Sequence, residues 1–232
     1  KQNSSIVDTR NNATGTITAI CVFGELTVNG SYLTISRGAN GIAIKVDEQS
    51  PNQGKLTVNS GTISVDTATT TSSQAIQNWG TTIINGGTFS GDVDSCSYSN
   101  IAGKMTINGG TFNGDVYSAQ MKYTTYHYDW PTASAQIAIK NGTFNKTIFE
   151  CYLDDTNGLQ PIQSVAKPNG VTESEVSVSG GIFTNDSANS IASTVAISGG
   201  VFKTQVSDST QKGELYVYPS TNPVAEIGDF KF

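Results

Sequence analysis

Short apolar-x-apolar runs recur along the chain, each closed by a polar corner residue and glycine. They read Leu26-Thr27-Val28-Asn29-Gly30, Leu56-Thr57-Val58-Asn59-Ser60-Gly61, Thr82-Ile83-Ile84-Asn85-Gly86-Gly87 and Met105-Thr106-Ile107-Asn108-Gly109-Gly110. The series continues with Ile137-Ala138-Ile139-Lys140-Asn141-Gly142, Val176-Ser177-Val178-Ser179-Gly180-Gly181 and Val195-Ala196-Ile197-Ser198-Gly199-Gly200. Alternation with period two marks each run as a short strand with one buried face. A second apolar position follows the glycines: Leu33, Ile63, Phe89, Phe112, Phe144, Phe183 and Phe202. The glycines supply the positive φ of a tight corner, after which the phenylalanine turns back inside.

The runs recur every 19 to 39 residues. A coil of about 20–25 residues with loops inserted in some copies predicts an all-β fold, a single-stranded right-handed parallel β-helix solenoid of seven or more coils. A propeller blade would need four antiparallel strands and about 40 residues, and the leucine-rich-repeat consensus is absent. The expected organisation is one domain. Residues 1–25 form an N-terminal cap or incomplete first coil, 26–202 the β-helix, and 203–232 a C-terminal cap or tail. Asn29, Asn59, Asn85 and Asn108 hold one corner position, the pattern of a side-chain amide ladder. Cys96, Ala119 and Cys151 each stand seven residues beyond a phenylalanine, and are expected as an interior stack of small side chains.

Composition narrows the function. Charged residues make up 14% of the 232, with net charge −6 and no cluster of lysine and arginine. That excludes a nucleic-acid partner, which needs a concentrated basic face. No apolar run approaches the ~20 residues of a membrane span. The opening Lys1-Gln2-Asn3-Ser4-Ser5 carries no signal-peptide pattern. The three cysteines are far apart, which predicts free thiols rather than a disulfide framework or metal knuckle.

Two groups of residues could carry chemistry. The insertion from Gln120 to Ser134 holds Tyr123, Tyr126, His127, Tyr128 and Trp130, and with them the only histidine. Aromatic faces stack on sugar rings, so these residues are the expected ligand contacts, flanked by Tyr117 and Tyr152 on neighbouring coils. Asp92 and Asp115 share one repeat position, with Asp94 beside it. Stacked carboxylates could hold Ca²⁺ or cap turns, and no other cofactor is expected.

The repeats over residues 26–202 resemble the pectin-lyase-like β-helix superfamily, many of whose members cut or bind acidic plant polysaccharides. Of the hydrolase motifs on successive coils, only Asp154-Asp155 has a match. A lyase needs a basic residue beside Ca²⁺-binding aspartates; Arg10 and Arg37 are the only arginines and both lie early, while Lys104, Lys122, Lys140 and Lys146 stand nearer the acidic positions. The repeat Lys104-Met105-Thr106-Ile107-Asn108-Gly109-Gly110-Thr111-Phe112-Asn113-Gly114-Asp115-Val116 also resembles low-charge repeats in large surface proteins of gut Gram-positive bacteria and in related phage fibres. That likeness implies an extracellular, cell-surface or virion setting. The expected function is a non-enzymatic surface module binding a polysaccharide or host surface. The alternatives are a structural phage fibre or capsid-associated protein, with a homotrimer as its expected assembly, and a Ca²⁺-dependent polysaccharide lyase.

Overall fold

A computed structural model describes residues 4–8, 17–30, 33–37, 41–48, 53–65, 73–122, 131–154, 175–185, 191, 195–202 and 225–227. Among these the fold is all-β, without helix, and its strands pair almost entirely in parallel within two curled sheets. Such predominantly parallel pairing is compatible with a β-helix or other solenoid.

The strands fall into three stacks. The first comprises Ile17–Val22, Gly41–Val46, Gln74–Asn78, Asp92–Tyr98, Val116–Lys122 and Ile148–Asp154, each paired with the next. The second runs Glu25–Val28, Lys55–Val58, Thr81–Ile84, Lys104–Ile107, Gln136–Ile139. The third runs Ser4–Asp8, Leu33–Arg37, Thr62–Val65, Thr88–Ser90, Thr111–Phe112, Thr143–Phe144. The strand Glu175–Phe183 passes the corner unbroken: residues 175–178 pair with the second stack and 182–183 with the third. That one strand joins the second and third stacks into a single fourteen-stranded sheet. From residue 17 to residue 154 the chain visits first, second and third stacks in that order, repeatedly.

The repeat alignment holds strand by strand. Leu26, Leu56, Thr82, Met105, Ile137 and Val176 are successive register partners. One continuous core joins Val28, Val58, Ile84, Ile107 and Ile139 to Ile44, Ile76, Val93 and Val116 of the first stack. Phe89, Phe112, Phe144, Phe183 and Phe202 form a column inside it, neighbouring ring centroids 4.6 to 4.9 Å apart and nearly parallel. Phe89 stands in register with Ile63, which pairs with Ile35 and not with Leu33. Two extra residues in the first corner shift the register by one alternation. Leu33 and Ile35 have the same parity, so periodicity alone does not separate them.

The corners also explain the paired glycines. Gly110 has φ +114°, and a Cβ on Gly109 would lie 2.8 Å from the carbonyl oxygen of Asn85 in the repeat before. Only the second glycine serves the turn; the first permits the close stacking of one corner on another. Beside these corners the asparagine ladder runs from side chain to side chain. Asn59 donates to Asn29 at 2.6 Å, Asn85 to Asn59 at 2.7 Å, and Asn108 to Asn85 at 2.9 Å.

Cys96, Ala119 and Cys151 are register partners and fully buried, as the alignment requires, but on the side of the strands away from the phenylalanine column. They belong to a second apolar cluster with Trp79, Tyr117, Met121 and Phe149. Each of these strands turns a core residue inward first: Val93, Val116 and Ile148. Three residues later is an odd step, so alternation turns the cysteines outward. All three cysteines are free. Pairing also extends to both ends of the described chain: Ser4–Asp8 and Ile17–Val22 join the stacks early, and Ala225–Ile227 lies antiparallel against Ala196–Phe202.

Candidate functional site

The outward face of the first stack carries the densest polar chemistry among the described residues. Trp79 Nε1 donates to Gln77 Oε1 at 3.1 Å, and Gln77 Nε2 donates to Gln74 Oε1 at 3.2 Å. Gln74 Nε2 then donates to Asp94 Oδ2 at 2.6 Å and to the Tyr117 hydroxyl at 3.3 Å. Gln77 and Trp79 share a face by period-two spacing, Gln74 joins them across the register shift between Asp92 and Val93, and register sets Asp94 opposite both Gln77 and Tyr117. The amides are oriented head to tail, and the chain of donors ends on one carboxyl group.

Asp94 is wholly shut from solvent. Burial pushes its acid up to about 8, donation from the Cys96 thiol and Tyr117 hydroxyl opposes this, and the nearby Asp92 charge adds to it. The group therefore holds its proton at neutral pH and can donate as well as accept. Burial and the Asp94 charge raise the Tyr117 hydroxyl well above its ordinary value, and its ring stacks on Phe149 at 4.8 Å. At one border of this face Trp79 meets Tyr98 edge-on at 5.2 Å, and the Tyr98 hydroxyl donates to Glu48 at 3.0 Å. Lys45 and Asp47 form an ion pair there at 3.1 Å.

The residues singled out from sequence divide in three. Tyr123, Tyr126, His127, Tyr128 and Trp130 lie outside the described residues. Tyr117 is buried on the outward face, whereas Tyr152, in the neighbouring repeat, has the parity of the inward residues Ile148 and Glu150. Asp92 and Asp115 cap corners: Asp92 Oδ1 accepts the Asp115 N–H and Asp115 Oδ1 accepts the Thr147 N–H, each at 2.9 Å. Burial pushes the Asp92 acid up to about 6. Among the described residues no group of three or more His, Cys, Asp or Glu side chains is placed to hold a metal ion. Lys104, Lys140 and Lys146 are exposed.

Gln74, Gln77 and Trp79 escaped the sequence reading because they precede the Gly-Gly corner in a strand with little apolar alternation. A signal was present: Gln74 and Gln77 sit in the strand leading to Trp79, a concentration of amides beside an aromatic residue. Among the described residues no helix is long and apolar enough to cross a membrane. No family model matches the chain, and neither the curated proteins nor the solved structures contain a match.

Proposed function

We propose that the chain is a right-handed parallel β-helix serving as a non-enzymatic, surface-exposed module that binds carbohydrate or a host surface. The fixed order of visits to three in-register stacks supports the solenoid reading. The binding reading rests on how the aromatic insertion is rooted. It leaves directly after Lys122, whose strand is paired over its whole length with Ile148–Asp154. It returns at Pro131, where the Thr132 N–H donates to the Ser99 carbonyl at 2.7 Å. Tyr123, Tyr126, His127, Tyr128 and Trp130 thus stand between two anchored feet on a weakly charged scaffold, a suitable way to present rings to sugars. Tyr117, on the strand that leads into the insertion, stacked on Phe149 and hydrogen-bonded to Gln74, is a positioning residue in this reading. The setting is a cell surface or virion.

A panel of surface glycans, probed with the purified chain with and without Ca²⁺, tests the proposal. Selective binding should fall about tenfold or more in Trp130→Ala, the loss of one stacking contact of about 1.4 kcal/mol. Unchanged affinity in the variant would remove the insertion as the site, and no binding to any glycan would overturn the carbohydrate reading.

A further inference from the structure

The interior is not apolar throughout. Alternation in the first stack places Ser95 and Ser97 on the side of Val93, and Ser118 and Gln120 on the side of Val116. Toward one end of this inner row the polar groups satisfy one another. Thr82 Oγ1 donates to Asn78 Oδ1 at 2.9 Å, and Asn78 Nδ2 donates to Ser95 Oγ at 3.1 Å and to the Lys104 carbonyl at 3.2 Å. Further along the same strand and in the next repeat the pattern fails. Ser97 Oγ, Ser118 Oγ and both amide atoms of Gln120 have no hydrogen-bond partner, although all three residues are 0% exposed.

Four such atoms together call for something between them, because a buried polar group without a partner loses its hydration and gains nothing. Ser97 and Gln120 are register partners, and Ser118 stands opposite Ser95. Ser97 and Ser118 are therefore diagonal neighbours, roughly 7–8 Å apart from backbone to backbone, too far for the two hydroxyls to meet directly and within the span of one bridging molecule. We propose that this inner corner is a built hydration site, a short file of ordered water bridging Ser97, Ser118 and Gln120.

The chemistry selects water over a cation. A hard cation takes oxygen ligands only. It would serve Ser97 Oγ, Ser118 Oγ and Gln120 Oε1 but leave the Gln120 Nε2 donor unmet. Water both accepts and donates, and so matches a mixed set. The nearby carboxylate of Glu150 already accepts the Val176 N–H at 3.0 Å. The site also lies close to the root of the aromatic insertion, since Gln120 is two residues before Lys122.

A high-resolution crystal structure of the whole chain, with one crystal soaked in thallous ion, tests the proposal. Expected are water peaks within hydrogen-bond distance of Ser118 Oγ and both Gln120 amide atoms, without anomalous signal there. Gln120→Met should lose the peaks at residue 120, and Ser118→Ala, a smaller change, only the peak at residue 118. In solution, magnetic relaxation dispersion should detect long-lived water that Gln120→Met removes. A dry interior, direct pairing of the side chains with one another, or a thallium peak would each overturn the proposal.

Discussion

Asp94 and Tyr117 are register partners on adjacent strands, and one amide, Gln74 Nε2, donates to both. A buried acid is thereby fixed in the polar part of an otherwise apolar outward cluster.

The arrangement makes stability depend on pH. Folded Asp94 keeps its proton to about pH 8, whereas the unfolded chain releases it near pH 4. Between those limits the unfolded state binds fewer protons, so stability falls as pH rises from about 4 to about 8, by at most about 1.4 kcal/mol per unit from this group. Asp92, with its acid at about 6, adds to the fall over the lower half of that range. Asp94→Asn, which keeps an acceptor for Gln74, should flatten the curve and be the more stable protein at pH 8. Denaturant titrations across the range check it.

The thiols should differ in reach but share low reactivity. Cys21 is exposed, yet partial desolvation and its bond to Asp47 at 3.3 Å push its thiol up to about 11. Cys96 and Cys151 are fully buried, and burial raises both thiols. Native protein should therefore react slowly at Cys21 alone with a thiol reagent at pH 8, and unfolding should release all three. Mass spectrometry of the labelled protein reads the order of attack; rapid native labelling of Cys96 or Cys151 would contradict the packing of the outward cluster.

Truncating the aromatic column should weaken the fold sharply. Phe112 is 1% exposed and stacks at 4.8 Å on both Phe89 and Phe144. Phe112→Ala should cost about 3–5 kcal/mol, measured by chemical denaturation. Thr111→Ala, on the half-exposed outward side of the same strand, should cost less than about 1 kcal/mol.

The inner column and the asparagine ladder were legible because each repeat marks them with the same residues at the same offset from Gly-Gly. Leu33 was misplaced because two extra corner residues preserve parity while moving the register. The cysteine row was legible as buried thiols but not in its side: in Asp94-Ser95-Cys96-Ser97 all four residues are fully buried, the serines toward Val93 and the cysteine in the outer cluster, so hydrophobicity does not tell the two faces apart. The Gln74–Asp94–Tyr117 network joins residues 20 and 43 apart, which only the stacking of repeats brings together.

In the proposed function the stack is a scaffold and the insertion the binding element. Replacing residues 123–130 with a glycine-serine linker of equal length, then measuring glycan affinity and thermal stability together, tests it most directly. The linker variant should show an unfolding transition close to that of the parent chain and no remaining affinity for the glycan the parent binds. A linker variant that folds and still binds that glycan with parental affinity would contradict it.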